Sequence, residues 1–163
     1  MPTPLRVGVI GLGARCVIAD HCHQASVPAV LVGGCDPNPA MRERAREILG
    51  DYAWVESLEE LLELGTDVAI VTSPDDTHEE ITCQLLEAGV AVFLEKPIAI
   101  SIEGADRVLA TAYRTKTPLY VGHNMRHMAV VRILRQVIQD GLIGEVRAIW
   151  CRHFVGNGGD YYF

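Results

Sequence analysis

The sequence predicts an α/β fold built on a doubly wound parallel sheet. Short apolar runs, typical of strands buried on both faces, alternate with segments whose apolar residues recur at helical spacing. The connections between them are short, as in right-handed βαβ units. With 163 residues, 49% of them hydrophobic, the chain is long enough to bury a core of ordinary size.

The expected elements follow one another along most of the chain. Six strands are predicted over Leu5–Ile10, Val30–Cys35, Tyr52–Val55, Asp67–Thr72, Val90–Leu94 and Pro118–Val121. Helices are predicted from Ala14, over Ala40–Leu49, after the capping-box pairs Ser57/Glu60 and Thr77/Glu80, along the apolar stripe Ala105–Tyr113, and over Val130–Ile138. A further strand is expected over Glu145–Val155, and the segment GNGGDYYF follows it.

The segment VGVIGLGARC, Val7–Cys16, joins the first strand to a helix with the spacing of a dinucleotide-binding loop. Gly11 permits the tight turn, and Gly13 lets the backbone approach a pyrophosphate without a Cβ in the way. Cys16 stands at the third position, which usually holds glycine or alanine and needs a small side chain for close helix–strand packing. We interpret Cys16 as a tolerated variant of that position.

An acidic residue follows the loop at the distance expected for ribose recognition. Asp36, in CDPNP, ends the second strand and can accept hydrogen bonds from two ribose hydroxyls. Its charge repels a 2′-phosphate, which favours NAD over NADP; the alternative is that Asp36 only caps the next helix. Ala14 begins a helix whose N-terminus would face the phosphates, and Arg15 either adds positive charge there or points to solvent.

The segment VTSPDDTHEE follows the fourth strand, at the edge of the sheet where open α/β folds bind ligands. Thr72, Ser73 and Pro74 are expected to pass under the nicotinamide half of a bound cofactor. His78 lies in the first turn of the next helix. It is either a surface or capping histidine or a direct contact to the cofactor.

The segment FLEKPIAI places Glu95 and Lys96 at the end of the fifth strand, and Pro97 forces an abrupt exit. A lysine held on a rigid turn beside a nicotinamide can donate a hydrogen bond to a substrate hydroxyl and stabilise the developing alkoxide. The alternative for Lys96 is an ordinary solvated lysine.

Taken in order, VGVIGLGARC, CDPNPA, VTSPDDTHEEI, AGVAVFLEKPIAI and VGHNMRH resemble the glucose–fructose oxidoreductase / inositol dehydrogenase / rhizopine-catabolism (Gfo/Idh/MocA) family. The resemblance implies a Rossmann fold and an NAD(P)-dependent dehydrogenase that acts on a CH–OH group of a sugar, cyclitol or related polyol. It also implies that Lys96 contacts both the substrate hydroxyl and the nicotinamide, while Glu95 and Pro97 shape the turn. Members are roughly double this length.

In that family a second α/β domain follows the nucleotide domain and carries the catalytic histidine and usually the oligomer interface. We therefore assign residues 1–124 to a dinucleotide-binding Rossmann domain. Residues 125–163 are assigned to a linking helix and the first strand of an incomplete second domain. His153 lies on that strand but does not match the catalytic histidine. The chain alone is expected to bind NAD without turnover, so a non-catalytic nucleotide-binding module remains the alternative function.

Composition argues against several other classes of function. The net charge of −7, without a long basic run, disfavours nucleic acid and anionic membranes as partners. No uninterrupted apolar segment is long enough for a membrane span, and five scattered cysteines with no signal-peptide pattern favour the cytoplasm. No metal site is expected, because His21, Cys22 and His23 are adjacent and point in different directions on a helix. The run MRERARE is expected to be a solvated helix face.

Overall fold

The computed structural model describes residues 3–24 and 28–152, whose six strands form one parallel sheet. The strands are β1 (Leu5–Ile10), β2 (Ala29–Cys35), β3 (Ala53–Val55), β4 (Val68–Val71), β5 (Ala91–Glu95) and β6 (Leu119–Gly122). Their spatial order is β3-β2-β1-β4-β5-β6. The predicted doubly wound sheet is confirmed, and for these six strands each predicted boundary lies within one residue of the observed one.

The sheet reverses its direction of growth at β1. At this switch point the last residue of β1, Ile10, pairs with Cys35 of β2 on one side and with Val71 of β4 on the other. The loops that leave these three strands therefore diverge at one edge of the sheet. Crevices of this kind bind ligands in open α/β folds.

Five α-helices lie among the described residues, together with shorter-pitch helical segments. The α-helices are α1 (Pro39–Leu49), α2 (Leu58–Glu63), α3 (His78–Glu87), α4 (Ile102–Thr115) and α5 (Ala129–Gln139). The 3-10 segments are Ala14–His23, Asp75–Thr77 and Asn124–His127. The helix predicted after the glycine loop thus exists, but it has 3-10 rather than α geometry.

One of the two predicted capping boxes is present. The Glu60 backbone N–H donates to the Ser57 hydroxyl, and the Ser57 N–H donates to the Glu60 carboxylate, both over 3.2 Å. The Thr77/Glu80 box is wrong, because Thr77 makes no side-chain cap for α3. A 3-10 turn already begins before Thr77, so its hydroxyl lies instead 2.7 Å from both the Ser73 hydroxyl and the Pro74 carbonyl oxygen.

Apolar side chains form two core clusters around the sheet. Val9, Leu12 and Cys16 belong to one cluster, and each of them is fully buried. Leu85 and Leu94 belong to the other and are also fully buried. Burial on this scale fixes the ends of the central strands, where the loops of the crevice begin.

The chain divides into two compact units, Met1–His123 and Asn124–Phe163. In the second unit, α5 has no buried residue, although its sequence is strongly amphipathic. The strand predicted over Glu145–Val155 is wrong for residues 145–152, which have no regular secondary structure. A strand needs a partner for its backbone hydrogen bonds, and the described chain supplies none there. Positions 153–163, including His153 and GNGGDYYF, lie outside the described residues.

Among the helices that the structure describes, none is both long enough and apolar enough to cross a bilayer.

Candidate functional site

Gly11 is the residue on which the loop after β1 turns. Its φ is +82°, and a Cβ at this position would come within 2.4 Å of the Ser73 backbone. The Gly11 N–H donates to the Cys35 carbonyl oxygen over 3.0 Å, and the Thr72 hydroxyl lies 2.7 Å from the Gly11 carbonyl oxygen. Gly11 is therefore locked between the loops that follow β2 and β4, and only glycine fits there without strain.

Gly13 has the opposite environment. A Cβ built on Gly13 would meet no atom within 4 Å, so the backbone faces open space. This space is a cavity of about 600 Å³ at the switch point, and it also touches Asp36 and the run Thr72–Pro74. The structure therefore brings the predicted loop residues together around one cavity of a size suited to an organic ligand.

Asp36 holds the loop in place with its carboxylate. One oxygen accepts the Leu12 N–H and the other accepts the Asn38 N–H, each over 2.9 Å. The cap of α1 is Asn38, whose side-chain oxygen accepts the Ala40 N–H over 3.0 Å. The alternative reading of Asp36 as a mere helix cap is therefore wrong: its carboxylate faces the glycine loop and borders the cavity.

Two arginines of α1 brace this region, and sequence reasoning missed both. The Arg44 guanidinium donates to the Gly13 carbonyl oxygen over 2.9 Å, with a longer contact to that of Leu12. Arg42 donates to the Asp36 carbonyl oxygen over 2.6 Å. The run MRERARE is thus only partly a solvated face. The one available signal was its position, since α1 starts only three residues after Asp36.

Cys16 packs as the sequence predicted for a small third-position residue. Its side chain is fully buried in the core cluster beside β1. Burial raises the pKa of the Cys16 thiol, although the neighbouring Arg44 guanidinium works in the opposite direction. The thiol is therefore a neutral packing group beneath the loop.

His78 joins two loops from within the protein. Its ring is fully buried, with Nδ1 2.6 Å from the Pro97 carbonyl oxygen and Nε2 3.0 Å from the Ser73 carbonyl oxygen. The predicted surface or capping role of His78 is therefore wrong. A direct cofactor contact is not available to a ring without exposed surface, so His78 instead ties the loop after β4 to the turn after β5.

Glu95 ends β5 as a buried carboxylate with only 8% of its side chain exposed. One of its oxygens accepts the Arg15 Nε–H over 2.9 Å and a closer Nη2–H, and the other accepts the Lys96 backbone N–H over 2.9 Å. Burial alone would raise the pKa of Glu95, but these N–H donors and the two positive charges hold it below its usual value. Arg15 is therefore paired with Glu95 rather than free in solvent.

Lys96 is exposed at the same edge of the sheet, and a cis peptide bond joins it to Pro97. Its amine makes no hydrogen bond or ion pair with any other residue that the structure describes. An amine that no hydrogen bond or ion pair engages is available to a ligand. The candidate site thus combines an open backbone loop, a flanking carboxylate and an exposed lysine on a braced turn.

Over residues 3–24 and 28–152, no three His, Cys, Asp or Glu side chains are grouped so that they could hold a metal ion.

A family model matches the part of the chain that carries the candidate site. The model described as "Oxidoreductase family, NAD-binding Rossmann fold" (GFO_IDH_MocA) matches residues 5–123, which contain the six strands and the whole candidate site.

Individual relatives are sugar and cyclitol dehydrogenases. The chain is 30% identical over 146 residues to inositol 2-dehydrogenase of Rhizobium meliloti (strain 1021), covering 89% of this chain and 44% of the relative. It is 32% identical over 149 residues to D-glucoside 3-dehydrogenase of Escherichia coli (strain K12), covering 88% and 42%. The chain thus spans less than half the length of these relatives.

A solved dehydrogenase structure is similar to this chain in fold. The WlbA dehydrogenase from Bordetella pertussis, crystallised with NADH and UDP-GlcNAcA, matches with a TM-score of 0.80 and 25% identity. The match covers 89% of this chain and 42% of that protein.

Proposed function

Since the chain belongs to the Gfo/Idh/MocA oxidoreductase family with its NAD-binding Rossmann fold, we propose that the cavity over Gly11 and Gly13 holds NAD. The observation that carries this proposal is the open space at Gly13, on a loop whose neighbouring Gly11 is locked in place. A backbone that is both rigid and uncovered can approach a diphosphate closely without reorganising.

The loop is arranged to present N–H groups rather than carbonyl groups to an anion. The Gly13 and Leu12 carbonyl oxygens already accept hydrogen bonds from Arg44. The helical segment that starts at Ala14 places its free N–H groups at the same end, where an anion is stabilised. The pyrophosphate of NAD would lie against this turn, so Gly13 and Ala14 are its proposed contacts.

The adenosine ribose would lie beside Asp36. Each carboxylate oxygen accepts one backbone N–H and keeps capacity for a further donor such as a ribose hydroxyl. The carboxylate charge disfavours a 2′-phosphate, so we propose a preference for NAD over NADP. Met41, Leu58 and Ile81 line the same cavity and offer apolar surface to the adenine ring.

The nicotinamide half would extend past Thr72, Ser73 and Pro74 towards Lys96. When bound, NAD supplies the hydride chemistry, and the protein supplies orientation and charge. Lys96 would donate a hydrogen bond to the substrate oxygen and stabilise negative charge that develops there. The names of the relatives suggest a sugar, cyclitol or related polyol as the substrate class.

The same proposal extends to the whole protein. Residues 125–163 would form a linking helix and the start of a substrate domain, through which the protein would assemble as a homo-oligomer. Its other partners would be NAD and the polyol, without nucleic acid. The free cysteines suit a reducing cytoplasm.

The binding proposal is tested by calorimetric titration of this chain with NAD and with NADP. NAD should bind, and more tightly than NADP. The variant D36S should weaken NAD binding and narrow its advantage over NADP. Asp67 provides a matched control, because its carboxylate also accepts a backbone N–H, that of Arg6, over 2.9 Å. D67S should leave the ratio of the two affinities unchanged.

Turnover is tested separately, by following NADH absorbance with a panel of polyols. Absence of any NAD binding by the folded chain would overturn the proposal. An unchanged affinity ratio in D36S would remove Asp36 from the ribose site. NAD binding without turnover by this chain would favour the alternative function, a non-catalytic nucleotide-binding module.

A further inference from the structure

One buried carboxylate, that of Glu95, links the glycine loop (Gly11–Gly13) to the turn that carries Lys96 (Glu95–Pro97). Arg15 lies just after the loop, and Glu95 lies 80 residues later, at the end of β5. In the other ion pairs of the described residues the acid is at least 29% exposed, whereas the Glu95 side chain is 8% exposed. A carboxylate that is shielded to this degree depends strongly on its cationic partner.

The two oxygens of Glu95 have different partners. Arg15 donates two N–H groups to one oxygen, while the other oxygen accepts the Lys96 backbone N–H over 2.9 Å. Both N–H groups reach the same oxygen, so Arg15 fixes the position of that oxygen and restricts rotation of the carboxylate. The acceptor offered to the Lys96 backbone is therefore oriented by Arg15.

From this arrangement we infer that Arg15 is a positioning residue for Lys96, and that it acts through the Glu95 carboxylate. The inference deepens the proposed function, because it rests on the role given there to the Lys96 amine. That amine makes no hydrogen bond or ion pair with a described residue, so the backbone of the turn sets the region that it can reach. Losing Arg15 should free the carboxylate to rotate towards solvent and leave the Lys96 N–H without a fixed acceptor.

His78 supports the same turn but does not replace Arg15. Its ring contacts the carbonyl oxygen of Pro97, one residue beyond Lys96. One support thus acts at Glu95, before the lysine in the chain, and the other at Pro97, after it. Of the two, only the support through Glu95 reaches the lysine's own backbone. Loss of Arg15 should therefore loosen Lys96 selectively, while Pro97 remains anchored.

The test measures hydrogen exchange of the Lys96 backbone amide by NMR in the cofactor-free chain, for the wild type and for R15M. Methionine keeps the length of the side chain and removes the charge and the donors. We expect exchange at Lys96 to become roughly tenfold faster, the change typical of a lost charge-assisted hydrogen bond. Exchange in β1 and β4 should stay unchanged. R15K should restore only part of the protection, because an ammonium lacks the paired N–H geometry.

A double-mutant cycle assigns the effect to the proposed route. In an E95A background, R15M should have no further effect on Lys96 exchange. The matched control is R107M, which removes another Arg–Glu pair, the Arg107 Nε–Glu79 contact of 2.5 Å between α4 and α3. R107M should not change exchange at Lys96.

Two results would overturn the inference. One is unchanged Lys96 exchange in R15M, which would show that Arg15 does not hold the Lys96 backbone. The other is an R15M effect that persists in full without Glu95. Exchange is measured without cofactor, so these outcomes do not depend on whether the wild-type chain binds NAD. Binding of NAD by the wild-type chain is the separate test of the proposed function.

Discussion

Two helices of equal length show how differently the two units of the chain are built. In the first unit, the 11-residue α1 buries Ala45 and Leu49 against the sheet. In the second unit, α5 also has 11 residues and a stronger apolar stripe, yet none of its residues is buried. Amphipathic periodicity therefore predicts that a helix forms, whereas burial depends on a surface that the local sequence does not encode.

The candidate site belongs entirely to the unit with a buried core. Gly11, Asp36 and Glu95 all follow or end strands whose side chains are packed on both faces of the sheet. A site built on rigid strand ends can keep an open loop without collapsing. Substitutions in each unit test this difference in packing.

The largest effect is expected from truncation of a core residue of the first unit. Leu94 is fully buried in β5, so L94A should lower the free energy of unfolding by about 2–5 kcal/mol through lost burial and a residual cavity. Urea denaturation followed by circular dichroism measures this change. A loss no larger than that of a surface substitution would contradict the packing described for β5.

A smaller effect, on binding rather than folding, is expected at the glycine loop. G13V should leave the unfolding free energy nearly unchanged, because a Cβ at this position meets no atom within 4 Å outside the adjacent residues and points into the open cavity. It should weaken NAD binding by roughly tenfold or more, since the methyl groups occupy the space proposed for the pyrophosphate. Calorimetry and urea denaturation of the same preparation separate the two quantities.

Gly11 provides the contrasting control for this prediction. G11A should destabilise the fold, because its φ of +82° and the 2.4 Å approach to Ser73 leave no room for a Cβ. Equal destabilisation by G11A and G13V would refute the different roles assigned to the two glycines.

The smallest effect is expected in the second unit. Ile133 lies on α5 and is 64% exposed, so I133A should change the unfolding free energy by less than about 0.5 kcal/mol. Urea denaturation again provides the measurement. A loss comparable to that of L94A would show that α5 is packed against apolar surface in solution.

The strands and the glycine loop could be predicted because their signals are local. Buried parallel strands leave continuous apolar runs, and the glycine spacing reflects backbone geometry within a few residues. The ion pair between Arg15 and Glu95 joins residues 80 positions apart, and the burial of His78 depends on Pro97, 19 positions away. Neither pairing has a local signature, so only the three-dimensional structure could provide it.

The errors have the same origin. Thr77 and Glu80 have the spacing of a capping box, but a preceding 3-10 turn changes where the helix begins. The apolar pattern after Glu145 is typical of a strand, yet pairing requires a neighbour that the described chain does not offer. The residue patterns of both segments are real. The structure that each segment adopts depends on neighbouring residues that the pattern does not include.

The most direct test of the account is an NMR titration of ¹⁵N-labelled chain with NAD. We expect the largest amide shifts at Leu12, Gly13 and Ala14 and next to Asp36, with α5 unaffected. Shifts confined to α5, or a folded chain whose glycine-loop amides do not respond to saturating NAD, would contradict the claim that this loop is the dinucleotide site.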